Sequence, residues 1–249
     1  MDPDARTRAL EQIRENINRF GYHVYVVSGE QQPRYAYTIG LSPKLGYEVV
    51  FAGGILFMYK EIGTIIKAVV EKLTAKLVSE SGACGVDPFG SFSFRRCDPS
   101  WTALLMTGAN DFYQRSEVAG LQILPDRGHR TLDVPDTGIP WSPESAPIWR
   151  YIEEPWPFSV PPTSHAATDL DALRGSPVTE ACRWEEDYWE LFAGAGPDVP
   201  NEEKRVVGLG MLLAADPSLT PILDLKVGDG IWRDDSLQWQ TWVRREGAE

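Results

Sequence analysis

The chain has 249 residues, 43% of them hydrophobic and 24% charged, which is enough apolar material for a packed core in one large or two smaller domains. Residues 1–150 carry 17 acidic and 16 basic side chains and residues 151–249 carry 19 and 8, so nearly all of the net charge of −12 lies in the last two-fifths. So acidic a block repels phosphate backbones, which excludes nucleic acid as a partner and favours a basic protein.

No apolar stretch follows a basic cluster at the start of the chain, and the run 49–59, interrupted by Gly53 and Gly54, falls short of the ~18 residues of a membrane span. The expectation is a cytoplasmic protein with no membrane contact. Cys84, Cys97 and Cys182 are odd in number and widely spaced, as reduced buried thiols would be.

In chain order, 4–19 is an amphipathic helix on Leu10, Ile13 and Ile17, with Gly21 placed to end it. Residues 22–27 and 34–41 flank a Ser-Gly-Glu-Gln-Gln-Pro turn and predict a hairpin, and 47–52 predict a third strand closed by Gly53-Gly54. From 59 to 78 the apolar spacing becomes helical, with Ile62, Ile65, Ile66, Val69, Val70, Leu73 and Leu77 on one stripe. Residues 91–95 alternate as a half-buried strand should, 111–115 predict a short helix and 120–125 another strand.

Nine prolines fall in 125–163 among Trp141, Trp149, Trp156 and Phe158, which predicts an irregular segment strapped onto a surface. Beyond it, 178–182 and 188–193 are expected strands around the acidic turn Glu185-Glu186-Asp187. A strand at 206–209 leads into a helix through Ala215, and 231–233 and 239–243 close the chain as short strands. The fold class is α+β: a mixed or antiparallel N-terminal sheet with a long packed helix over 1–141, a Pro/Trp-rich junction at 142–164, and a smaller acidic α+β domain at 165–249.

Catalytic and metal motifs are missing. His23 falls in a strand, and His129 and His165 in loops beside Gly128 and Ser164; there is no Gly-x-Ser-x-Gly elbow and no Cys–His signature. Cys-x-x-Cys and His-Glu-x-x-His are absent, and neither Asp234-Asp235 nor Glu185–Asp187 has calcium-loop spacing. No cofactor or metal is expected. Gly208-Leu209-Gly210 is half of a dinucleotide fingerprint, with Leu213 where its third glycine belongs, and Gly53-Gly54 lacks the Lys-Ser/Thr of a phosphate loop; both pairs read as tight turns. The segment Trp184-Glu185-Glu186-Asp187-Tyr188-Trp189-Glu190 instead sets three large rings among four carboxylates, a composition suited to an interface with a cationic partner. A strand would turn alternate rings inward, whereas a helix would put Trp184 and Tyr188 together.

Gly21-Tyr22-His23-Val24, Tyr35-Ala36-Tyr37-Thr38-Ile39-Gly40-Leu41, Leu121-Gln122-Ile123-Leu124-Pro125-Asp126 and Ile139-Pro140-Trp141 resemble the bacterial family called domain of unknown function 4262, over about 20–141. That family usually has His-Pro-Glu after its Gly-Leu strand; here the stretch reads Gly46-Tyr47-Glu48, without the histidine. Glu186-Asp187-Tyr188-Trp189-Glu190-Leu191-Phe192, Val206-Val207-Gly208-Leu209-Gly210, Asp216-Pro217-Ser218-Leu219 and Leu223-Asp224-Leu225 with Trp232-Arg233 resemble the family called domain of unknown function 2185, grouped with immunity proteins of bacterial toxin systems.

That second resemblance implies a binding role: an immunity protein, not an enzyme, that occludes the active surface of a cognate basic toxin. The partner-binding residues expected are Trp184, Glu185, Glu186, Asp187, Tyr188, Asp234 and Asp235. The alternative is a small-ligand binder or enzyme with a pocket in the N-terminal half, using His23, Tyr37, Thr38 and Asp126. Oligomeric state is not legible in the sequence.

Overall fold

The computed structural model describes residues 3–28, 32–234 and 236–242. They separate into two compact units. The first takes the described residues up to Ala146 except 32–33 and 131–133, which join those from Pro147 onward in the second.

In the first unit, α1 (Pro3–Phe20) stops at Gly21, whose φ of 86° is open to glycine and whose N–H donates to the Ile17 carbonyl at 2.8 Å. Strands β1 (His23–Val27) and β2 (Tyr35–Ile39) pair antiparallel with Tyr25 opposite Tyr37, as the hairpin reading requires. One helical turn, α2 (Ser42–Leu45), leads to β3 (Glu48–Ala52). Helix α3 (Tyr59–Thr74) ends earlier than its pattern predicts, because Lys76 takes a left-handed φ of 56° and leaves Leu77 exposed. Then come β4 (Ala83–Gly85), β5 (Ser91–Arg96), α4 (Pro99–Leu105, capped by Asp98), α5 (Thr107–Tyr113) and β6 (Gly120–Pro125).

The sheet order is β1-β2-β3-β6-β5-β4, antiparallel except for the β3–β6 pair. The α3 stripe buries Ile62, Ile65, Ile66, Val69, Val70 and Leu73 in one core with Ala36, Val49, Phe51, Phe92, Leu121 and Ile123 from the sheet. At ~1.5–3 kcal/mol for each fully buried large aliphatic side chain, this stripe is the main apolar support of the unit.

The second unit holds β7 (His165–Thr168), α6 (Leu170–Leu173), β8 (Glu180–Arg183), β9 (Tyr188–Phe192), β10 (Arg205–Gly208), α7 (Leu209–Ala215), β11 (Gly230–Trp232) and β12 (Gln240–Thr241). The order is β10-β7-β9-β8-β11-β12, with β7 and β9 parallel. His165 thus starts a strand rather than lying in a loop. Residues 147–163, expected as part of the 142–164 junction, belong to the second unit and strap onto it: Tyr151 and Trp156 pack edge to face, 5.1 Å apart, against α7. A side chain at Gly210 would meet those rings at 2.7 and 2.9 Å, so the Gly-x-Gly here permits close helix packing.

Two distant stretches meet at Arg233, which is 2% exposed. Its guanidinium donates to Asp216 Oδ2 at 2.8 Å, Ser218 Oγ at 2.7 Å and the Val178 carbonyl, and it lies 4.4 Å from the centroid of the Trp239 ring. Removing the cation while keeping the stem leaves three acceptors without their donor. Arg233→Met is therefore expected to cost about 3 kcal/mol, read as a lower urea midpoint with an unchanged slope; a midpoint at the wild-type value would show that the knot is dispensable.

Candidate functional site

The strands of the second sheet bury one face. Trp189, Leu191, Ala166, Ala181 and Ile231 are buried, and the Trp189 indole donates to the Ile222 carbonyl of a short 3-10 helix (Pro217–Asp224). The alternate residues Tyr188, Glu190 and Phe192 of β9 and Glu180 and Cys182 of β8 point the other way. Trp184 and Trp242, 48% and 42% exposed, stand over that outward face. A side chain at Gly230 would meet the Trp242 ring at 2.6 Å, so the indole rests directly on the β11 backbone.

Between β8 and β9 the acidic run forms a hairpin tip, not a helix: the Trp184 N–H donates to the Tyr188 carbonyl at 3.0 Å. The tip is braced from beneath. Arg183 donates to the carbonyls of Glu185 (3.2 Å), Glu186 (2.6 Å) and Leu225 (2.9 Å), with its guanidinium over the Trp189 ring. Arg183 thereby neutralises backbone dipoles and leaves the carboxylates of Glu185, Glu186 and Asp187 without a hydrogen bond or ion pair among the described residues. The tip therefore presents three charges that can meet an external cation.

The expected seven-residue plate divides. Trp184, Glu185, Glu186, Asp187 and Tyr188 are together. Asp234 lies near the other end of the sheet: the Arg233 N–H pairs with the Thr179 carbonyl, five residues back along the strand from Trp184. At ~3.3 Å per residue the separation is roughly 16 Å. Asp234 instead caps Ser236, accepting from its N–H at 2.9 Å, and these bonds hold its carboxyl below the usual carboxylate range. Asp235 lies outside the described residues.

In the first unit the four expected pocket residues do not converge. His23 lines a cavity of about 630 Å³ with Asn16, Lys44, Lys67 and Glu71. His23 Nδ1 lies 2.8 Å from Asn16 Nδ2, and burial lowers its pKa, which favours the neutral ring. Tyr37 is buried in a stack with Tyr25 (centroids 5.5 Å apart), its hydroxyl accepting from the Gly108 N–H. Asp126 accepts from the Ser91 and Gly128 N–H groups and contacts His129 at 2.8 Å, which fastens a turn at the far strand end.

Thr38 belongs to a polar centre that sequence reasoning missed. Glu48 is fully buried, and five donors meet its carboxylate: Thr38 Oγ1 (2.7 Å), Tyr113 Oη (2.6 Å) and the N–H groups of Gly40 (3.0 Å), Leu41 (3.2 Å) and Ser42 (2.8 Å). Burial pushes its pKa up, while the donors pull it back toward the charged form. The arrangement fixes the turn after β2, next to Gly40 and Leu41, which also line the His23 cavity. Glu48 is the third residue of the Gly-Tyr-Glu stretch, so a Glu is present here even though the family's histidine is not.

Among the described residues no group of three or more His, Cys, Asp and Glu could hold a metal ion, and no helix is long and apolar enough to cross a membrane. The fold and these sites define an α+β protein of two units, one built around a buried carboxylate and the other presenting a half-covered sheet. The model of the family described as Domain of unknown function (DUF4262) matches residues 16–132, most of the first unit, as the resemblance of the N-terminal half implies. No curated protein and no solved structure matches the chain.

Two measurements probe the first unit. Glu48→Gln keeps the shape but turns one acceptor into a donor facing donors, at an expected cost of about 2–4 kcal/mol in urea unfolding; Tyr113→Phe, which removes one donor, is expected to cost less. A reversed order would contradict the five-donor account. For His23 the folded pKa lies below the unfolded value, so the unfolded chain binds the extra proton first and stability falls as pH drops below about 6.5. His23→Gln is expected to flatten the melting temperature between pH 7.5 and 5.5; an unchanged slope would place the responsible proton elsewhere.

Proposed function

We propose that the chain is an immunity protein, which binds a basic bacterial toxin and occludes its active surface. One observation carries the reading. The half of the chain that holds nearly all of the net charge presents a hairpin tip, exposed at Trp184, Glu185 and Glu186 and half-buried at Asp187 and Tyr188, whose three carboxylates are unpaired among the described residues, beside a sheet face that no described α-helix covers. Interfaces favour exposed Trp and Tyr at their centre, and a single-signed field speeds the approach of an oppositely charged partner.

Mechanism follows from placement. Glu185, Glu186 and Asp187 mimic the negative groups of the toxin's own substrate and guide encounter, while Trp184 and Tyr188 become buried on contact. No bond is made or broken, so inhibition requires only that the complex outlast the toxin's turnover. A second reading, a small-ligand binder, is favoured by the cavity beside His23. Purification of the full chain from its host separates the two: the first expects a basic toxin in the eluate whose activity the purified chain abolishes, the second a small molecule released on denaturation.

Charge reversal at the tip gives the sharper check. Changing Glu185, Glu186 and Asp187 together to Lys is expected to slow toxin association at least tenfold at low salt and to remove most of its salt dependence. Association at the wild-type rate, with the wild-type salt dependence, would contradict a role for the tip.

A further inference from the structure

Beside the hairpin tip the outward face contains a trough of about 350 Å³, near the lower limit of ~300–1,000 Å³ typical of small-molecule pockets and better matched to one side chain. Trp184, Trp242, Phe192 and Cys182 line it, and Glu180 and Glu190 supply the charge. Trp184 Nε1 donates to Glu190 Oε2 at 2.8 Å, which orients that carboxylate and leaves its other oxygen to a new donor. Glu180 accepts from the Gly196 N–H through Oε2, and among the described residues its other oxygen has no hydrogen bond. Burial first, and after it the charges of Glu190, Glu180 and Asp229, push the Cys182 thiol up to about 11, so the carboxylates make the local field negative.

The chain's own cation already occupies the rim: Lys204 Nζ lies 5.2 Å from the centroid of the Phe192 ring. Arg183, the next basic residue along β8, is turned to the opposite face. Aromatic faces attract cations most strongly where water is partly excluded, and a guanidinium is planar enough to lie against an indole while donating in the plane to carboxylates.

We infer that this trough receives an arginine side chain of the partner, stacked between the indoles of Trp184 and Trp242 with its N–H groups on Glu190 and Glu180. The inference deepens the immunity reading and rests on it for the identity of the partner. It makes the toxin's arginine the anchor, with the acidic tip as the guide. Lys204 would be displaced from the Phe192 ring as the arginine enters.

The test uses the full-length chain labelled with nitrogen-15 and, as probe, the capped tripeptide acetyl-Gly-Arg-Gly-amide. Saturable shifts of the Trp184 and Trp242 indole signals are expected, with at least tenfold weaker binding in Glu190→Gln. Lys204→Met removes the competing cation and is expected to bind the peptide at least twofold more tightly. The citrulline counterpart, equal in shape but neutral, should leave both signals in place. Equal binding of the citrulline peptide, or undiminished binding by Glu190→Gln with the remaining indole signals at their native positions, would overturn the arginine trough. Because no toxin is present in this titration, its failure removes the trough and leaves the immunity reading to be decided by toxin inhibition.

Discussion

A β-strand sends successive side chains to opposite faces, and the second sheet has α-helix on only one of them. Everything proposed for the protein depends on that asymmetry. On the covered face α7 packs on β7 and β10, the 3-10 helix that follows it packs on β8 and accepts from the Trp189 indole, and Arg233 ties Val178, Asp216 and Ser218 into the same layer. On the other face the same strands must place Glu180, Cys182, Tyr188, Glu190 and Phe192, with two partly exposed tryptophans above them. A sheet face with this composition that served only solubility would carry charge without rings; the rings favour contact with another molecule.

The first unit solves a different problem. Its helix α3 covers the sheet with aliphatic side chains, and the costly element is a single buried carboxylate. Glu48 is tolerable in the interior because five donors converge on it, three of them backbone N–H groups of the turn that follows β2. That turn borders the cavity at His23, so the buried carboxylate and the cavity are neighbours.

Local features were legible in the sequence and distant pairings were not. The α3 stripe, the alternation of β5 and the hairpin of β1 and β2 are readable because each pattern repeats within one element. Strand β7 was missed because His-Ala-Ala-Thr is short and poor in β-branched residues; its pairing with β9 and β10 decides it instead. Trp184 and Tyr188, four apart, fit a helix as well as a hairpin until Arg183 is seen bracing the tip. Asp234 looked like part of the acidic plate because charge can be counted along a chain, whereas strand direction places it at the other end. Glu48 stands where the resembled family has the Glu of its His-Pro-Glu stretch, but that does not show it buried, and its donor Tyr113 is 65 residues away. The Asp216-Pro217-Ser218 and Trp232-Arg233 stretches were both noticed, but their ion pair was not.

The central claim is that the outward face of the second sheet is where the partner docks. Hydrogen exchange of the full chain, alone and with the toxin it protects against, tests this most directly. The account predicts slowed exchange over the β8–β9 hairpin, residues 180–192, and at β12 with Trp242 just after it, with the rest of the chain unchanged. Protection concentrated instead around His23 and Gly40 in the first unit, with the hairpin exchanging as in the free protein, would contradict it.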